Sequence, residues 1–369
     1  MPATRTFLGR GLAAAAALPL LAVVLTACGY GSQAVKAPVA HAAEGPKVGG
    51  LDTVRIGYFP NLTHATALVG DREGILQREL GGTKVSTASF NAGPSEIEAL
   101  NAGSIDIGFI GPSPAVNAYV KSGGESLRII GGSASGGVKL VVNPERITSP
   151  ADVEGKRIAT PQLGNTQDVA FLNWAAEQGW KIDPQSGKGD VSAVRMQPKV
   201  TPGAYRSGAI DGAWMPEPAA SRLVAAGAKV LVDEADLWPD GKFVITNIVV
   251  SQKFLKEHPA VVEAVLRGTV KTNEWIAANP EQARASANAK LEELTGKPLP
   301  PEVIDPAWKS LRFTDDPLAA TLDTQADHAV RAGLLERPDL AGIYDLKPLN
   351  KVLGAAGAPE VSDAGLGVK

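Results

Sequence analysis

A nine-residue pattern of this chain occurs twice. Ala102-Gly103-Ser104-Ile105-Asp106-Ile107-Gly108-Phe109-Ile110 is echoed by Ser207-Gly208-Ala209-Ile210-Asp211-Gly212-Ala213-Trp214-Met215, an offset of 105 residues (211 − 106). Each copy reads as a helix closed by a left-handed glycine, followed by Ile-Asp entering a short buried strand. Each strand runs into a proline-rich loop, Gly111-Pro112-Ser113-Pro114 in the first copy and Pro216-Glu217-Pro218 in the second. A strand that ends in such a loop and then a helix is the usual address of a ligand site in an open α/β sheet. Two such addresses predict two lobes facing one another across a cleft, and 369 residues suffice for two domains with cores of their own.

The segments around the repeat fit that plan. Thr53–Phe59 reads as a strand, followed by a helix through Ala67, Leu68, Ile75 and Leu76 that Asn61 or Thr63 can cap. Strand Lys84–Phe90, a helix over Ile97 and Leu100, the first repeat strand, helix Ala115–Lys121 and strand Leu127–Ile130 follow, ending in a glycine-rich loop over 131–137. A second run starts at Lys139–Val142 and continues through strand Lys156–Thr160 and a helix carrying Val169, Leu172 and Ala176. Strand Val191–Met196, helix Pro202–Ser207, the second repeat strand, helix Ala219–Ala226 and strand Lys229–Val232 complete it. This βαβα alternation implies largely parallel sheets. Asn247–Val250 reads as a return strand, and from Gln252 onward the pattern is helical: 254–278, 280–294, 301–311, 318–334 and 346–353.

The N-terminus carries a different message. Arg5 and Arg10 precede an apolar run from Leu12 to Leu25, too short for a comfortable span, and Leu25-Thr26-Ala27-Cys28 follows at once. That tetrapeptide resembles the bacterial lipobox, which implies cleavage before Cys28 and a lipid anchor on its sulfur. Cys28 is the single cysteine, so no disulfide forms within the chain. Residues 29–50, rich in Gly, Ala, Ser and Pro without period, read as a flexible stalk. A net charge of −3 gives no nucleic-acid signal.

Enzyme chemistry has little to work with. Of the four histidines, His41 falls in the stalk and His258 and His328 on C-terminal helices, which leaves His64 alone near the cleft. No His-Glu-x-x-His, Walker loop or Gly-x-Ser-x-Gly elbow occurs, and metal-ligand clusters and cofactor motifs are absent from the sequence.

Ile56-Gly57-Tyr58-Phe59-Pro60, Asn101 to Asp106, Leu163 to Asp168 and Asn247 to Ser251, in that order and spacing, resemble the solute-binding proteins of ABC importers. The resemblance is to the aliphatic sulfonate, taurine and nitrate branch, which also holds pyrimidine-precursor binders, and it covers roughly residues 51–350. It implies an α/β, two-lobe periplasmic-binding-protein fold of the second type, with a double hinge near Gly137 and Thr246 and C-terminal helices. The implied division is signal peptide 1–28, stalk 29–50, lobe 1 over 51–137, lobe 2 over 138–246, a return strand and helices of lobe 1 over 247–350, and a tail over 351–369. The implied partners are a small sulfonate-like ligand, an ABC permease with its ATPase, and the extracytoplasmic face of the membrane through Cys28. The receptor itself is expected to be a monomer.

Five loops would line the cleft: 60–64, 91–95, 111–114, 133–137 and 164–168. None contains Lys or Arg, yet several precede helices, whose free N–H groups hold an oxyanion without a counter-ion. The expected ligand contacts in these loops are Pro60, Asn61, His64, Pro94, Ser113, Ser135, Asn165, Thr166 and Gln167. Such neutral donors suit a fully ionised sulfonate. Asp168, Trp214 and Glu217 are expected at the other end of the ligand, as carboxylates and an aromatic suited to a cationic tail or a stacking ring. The same fold can serve nitrate, bicarbonate or a pyrimidine precursor, or a sensor that does not transport.

Overall fold

The computed structural model describes residues 41–369; Cys28, the apolar run before it and the first part of the stalk lie outside the described residues. Lobe 1 is built from β1 (Thr53–Tyr58), α1 (Ala65–Arg72), α2 (Ile75–Leu80), β2 (Lys84–Ser89), α3 (Gly93–Asn101), β3 (Ile107–Ile110), α4 (Pro112–Lys121) and β4 (Leu127–Gly136). Lobe 2 repeats the scheme with β5 (Val138–Val142), β6 (Arg157–Thr160), α5 (Thr166–Glu177), β7 (Ser192–Arg195), α6 (Thr201–Arg206), β8 (Gly212–Pro216), α7 (Ala219–Ala225) and β9 (Lys229–Asp233). The chain then returns through β10 (Val244–Ser251) into α8 (Gln252–Glu257), α9 (Pro259–Ala278), α10 (Pro280–Thr295), α11 (Pro301–Lys309), β11 (Leu311–Phe313), α12 (Leu322–Arg331) and α13 (Lys347–Ala355).

The two sheets share one plan. The first runs β2-β1-β3-β10-β4 with β11 added at its edge, and the second runs β7-β6-β8-β5-β9. In each, a strand arriving from the other lobe, β10 or β5, lies antiparallel between its neighbours; the edge strand β11 is antiparallel to β4, and the rest pair in parallel. The first crossing is at Gly137, whose φ of +70° suits a residue without a Cβ. At the second, Phe243 and Ile245 belong to lobe 2's core and Ile248 and Val249 to lobe 1's, so the chain changes lobes at Thr246–Asn247. Both crossings fall where the sequence places the double hinge.

Alternation assigns side chains to cores. In lobe 2, Leu140, Val142 and Trp214 enter one apolar cluster and Val141, Ala213 and Met215 another, on opposite faces of the same sheet. Helices therefore cover both faces, and β3 and β8 are buried along their whole length.

The repeated motif has a structural reason that lies outside the repeat. Asp106 accepts the backbone N–H of Arg55 at 2.8 Å and its Nε at 3.0 Å, while the same guanidinium donates to the Gly103 carbonyl. Asp211 accepts the N–H of Arg157 at 2.9 Å and its Nε at 3.1 Å, and Arg157 donates to the Gly208 carbonyl at 2.8 Å. The carboxylate stitches the entry of β3 to the start of β1 in lobe 1, and the entry of β8 to the start of β6 in lobe 2.

Several expectations need correction. Residues 131–136 are not a loop but the second half of β4, held by β10 and β11. The helix through Ala67 and Leu76 is broken by Gly74 in the left-handed region, φ 67°. The helix expected over 254–278 is divided at His258, because Pro259 starts a new helix and brings no N–H. Leu311–Phe313 is a strand, not a helix end. The last part of the stalk is docked: the Val48 N–H donates to Thr83 Oγ1 at 2.9 Å, and Lys47 bridges Gly81. The tail returns to the fold too, with the Val368 N–H on the Tyr344 carbonyl at 2.9 Å.

Candidate functional site

The lobes are closed on each other. The Leu62 N–H of lobe 1 donates to the Glu217 carbonyl of lobe 2 at 3.1 Å. A methyl group placed on Gly111 would meet Thr166 Oγ1 across the cleft at 2.3 Å. Between them lies a crevice whose walls include Asn61, Thr63, His64, Asn91 and Gly111 from lobe 1 and Asn165, Thr166 and Gln167 from lobe 2. Phe59, Ile245 and three prolines, Pro161, Pro198 and Pro216, complete it. Its volume is about 20 Å³, on a scale where one water takes roughly 10–15 Å³, so with the lobes closed as here it has room for one or two water-sized groups.

Sequence dictates this wall locally. Asn61 caps a short 3-10 turn over Leu62–His64, accepting the Thr63 N–H at 3.1 Å. Asn165 caps α5 in the same way, accepting the Gln167 N–H at 3.0 Å. Asp168 and Val169 donate their N–H groups to the Asn165 carbonyl, so among the described residues the Thr166 N–H has no protein acceptor. Thr166 is 4% exposed, and its buried hydroxyl is likewise without a partner among the described residues. A buried polar atom of this kind is costly unless something occupies it. It stands on the first turn of a helix of twelve residues, where the backbone adds partial positive charge.

His64 is the one ionisable group on the crevice wall. Its Nδ1 accepts the Phe59 N–H at 3.3 Å, which leaves the proton on Nε2. Burial pushes its pKa down to about 3, so near neutral pH it is an uncharged donor. The crevice thus offers neutral N–H and O–H groups and no full charge.

Asn61, His64, Asn165, Thr166 and Gln167 are brought together as the sequence predicts. Pro60 sits further out, on the wall of a larger vestibule that opens from the crevice. Pro94 is half-buried in the first turn of α3, Ser113 is buried in the first turn of α4, and Ser135 is buried in β4 opposite Arg312; none of these three lines the crevice.

The expected cation-binding end is not there. Trp214 is fully buried in lobe 2's core against Phe171 and Trp174, its Nε1 donating to Glu234 Oε2 at 2.7 Å. Glu217 is fully buried and committed to Lys139 Nζ at 2.7 Å and to Ser221. Asp168 is committed to Thr160 Oγ1 at 2.7 Å and Arg195 Nε at 2.9 Å, which anchors α5 to its sheet. These three side chains hold the scaffold and are not free for a ligand.

Instead, the vestibule is cationic. It encloses about 740 Å³ and is lined by Lys199, Arg206 and Arg222 of lobe 2 and Lys297 of lobe 1, together with Phe59 and Phe90. The sequence reading missed these four cations because they lie outside the cleft loops. The available signal was helical spacing: Pro218 and Arg222, four apart at the start of α7, line the same wall.

Among the described residues no helix is long and apolar enough to cross a membrane, and no group of three or more His, Cys, Asp or Glu could hold a metal ion. Residues 49–291 match the NMT1-like family. The chain is 31% identical over 234 residues to the taurine-binding periplasmic protein of Escherichia coli strain K12, a match covering 63% of this chain and 70% of that protein. Among solved structures it is similar to the alkanesulfonate-binding protein SsuA from Xanthomonas axonopodis pv. citri bound to MOPS, with a TM-score of 0.62 and 24% identity over 80% of this chain and 97% of that one. It also superposes on the periplasmic nitrate-binding protein NrtA from Synechocystis PCC 6803, with a TM-score of 0.69 and 14% identity over 84% of this chain and 90% of that one. With a two-lobed fold and a hinged cleft, the chain belongs to the NMT1-like family and is an ABC-type solute-binding protein of the second periplasmic-binding-protein fold.

Proposed function

We propose that this receptor captures a small oxyanion of the sulfonate type, its head against Thr166 on the crevice wall, and delivers it in the closed form to an ABC permease driven by its ATPase. The observation that carries this reading is Thr166: a buried hydroxyl with no partner among the described residues, at the N-terminus of α5, on a wall of uncharged donors. Such a wall holds a permanently ionised head through N–H and O–H donors and helix-end polarity. A head that carries its own proton would find few acceptors there. The sulfonate-binding relatives support the same class. Cys28, in its lipobox-like context, is the proposed tether to the extracytoplasmic face of the membrane.

The test is calorimetric titration of the chain without residues 1–28 against alkanesulfonates, nitrate, bicarbonate and pyrimidines. Heat with sulfonates, and a melting temperature that rises with sulfonate concentration, is the expected outcome. Heat with a pyrimidine alone would reject the oxyanion head. For the anchor, Cys28→Ser should release the protein from membranes, whereas retention would place the tether elsewhere.

A further inference from the structure

The vestibule narrows the substrate class, an inference that rests on the oxyanion reading above. Crevice and vestibule share Phe59, Asn61, Asn91, Pro198 and Pro216, so a head held at Thr166 has its remaining atoms directed into the larger space. That space carries four cations, and no acidic side chain lines it. Lys199, Arg206 and Lys297 are solvent-exposed. Arg222 differs: it is part-buried on α7, lining the same wall as Pro216 and Pro218, and among the described residues no carboxylate lies within ion-pair distance of it. Most buried arginines are paired, because desolvating a guanidinium without a counter-charge is unfavourable. The same burial holds its pKa below the usual arginine value. An unpaired guanidinium facing a cavity of ligand size, about 740 Å³ where small-molecule pockets take roughly 300–1,000 Å³, is placed to receive an anion.

We infer that the ligand is a dianion, a sulfonate whose short apolar spacer ends in a second anionic group such as a carboxylate, with Arg222 as the partner of that second group. A zwitterion such as taurine would present an ammonium to four cations and is disfavoured. Phe59 and Phe90 supply apolar surface for the spacer, and Arg offers the planar two-point fork that a carboxylate accepts. Lys199, Arg206 and Lys297 would act at longer range, raising the local concentration of dianions in a salt-dependent way.

The experiment is calorimetric titration at neutral pH with ethanesulfonate, taurine, sulfoacetate, 3-sulfopropanoate, 4-sulfobutanoate and 4-sulfobenzoate. The inference predicts that at least one sulfocarboxylate binds about tenfold or more tighter than ethanesulfonate, with taurine weaker than both. In Arg222→Gln the preference for sulfocarboxylate over ethanesulfonate should collapse to near parity, and Arg222→Lys should keep part of it. Equal affinity for ethanesulfonate and every sulfocarboxylate overturns the inference and leaves the oxyanion reading intact, as does a preference that Arg222→Gln does not change. Absence of binding by all the sulfonates overturns the oxyanion reading beneath it. Should Arg222→Gln fail to fold, the double variant Lys199→Gln, Arg206→Gln carries the test. It must flatten the salt dependence of sulfocarboxylate binding relative to wild type, and an unchanged salt dependence counts against the vestibule.

Discussion

Replacing Gly111 by alanine separates closure of the lobes from the stability of the chain. Gly111 has φ −67° and ψ 154°, a conformation open to any residue, so alanine introduces no backbone strain. By restricting the unfolded chain it should raise stability by about 0.4–1 kcal/mol. The cost appears only when the lobes meet, because the new methyl would lie 2.3 Å from Thr166 Oγ1, inside any tolerable contact. Overpacking of this kind costs roughly 1–3 kcal/mol. All of it falls on the closed form, so ligand affinity should drop by about 5- to 150-fold. Calorimetric titration with a sulfonate gives the affinity, and thermal melting without ligand gives the stability. In a Thr166→Ala background the obstructing oxygen is gone, and adding Gly111→Ala should then cost far less, a coupling of about 1–3 kcal/mol in a double-mutant cycle. Wild-type affinity in Gly111→Ala would show that the lobes do not meet at these residues when ligand is bound, and the argument from Thr166 would fall with it.

Other consequences follow from groups that the structure commits to the scaffold. Trp214→Ala should cost about 3–5 kcal/mol of unfolding free energy in denaturant melts, since the ring is fully buried among Phe171 and Trp174; a loss of ligand affinity at unchanged stability would instead restore it to the cleft. Lys139→Met should leave the Glu217 carboxylate buried without its cation and destabilise by about 3–5 kcal/mol, and removing both charges in Lys139→Met, Glu217→Gln should recover much of that. His64, neutral when folded and free to charge once unfolded, supports the folded state fully above its ordinary pKa of 6.5 and withdraws that support as pH falls toward about 3. Across that window, wild type should lose up to about 1.4 kcal/mol per pH unit relative to His64→Gln, measured by melts at each pH; parallel curves would show that His64 is not held neutral.

How much of this was legible in the sequence depended on how local each feature is. The strands around the repeat and the caps Asn61 and Asn165 are set by residues a few positions apart, and they lie where the pattern puts them. The reason for the repeated aspartates was hidden, because Arg55 and Arg157 stand 51 and 54 residues before them and become neighbours only through parallel pairing. Trp214 was misplaced for a related reason. In a strand buried on both faces, alternation distinguishes two sides but does not say which one meets a ligand. Glu217 sits on a cleft loop by sequence, but the antiparallel register of β5 against β8 brings Lys139 to it. Glycines 131 and 132 suggested a loop because Gly weakens strands, yet Gly132 is needed where the Asp316 carbonyl would come within 2.3 Å of a Cβ.

The position of a sulfonate in a crystal of the complex tests the central claim most directly. A sulfonate oxygen should lie about 2.7–3.1 Å from Thr166 Oγ1, with the sulfur on the crevice side of the first turn of α5. A sulfonate bound elsewhere, with the Thr166 hydroxyl still unpartnered, would contradict the account.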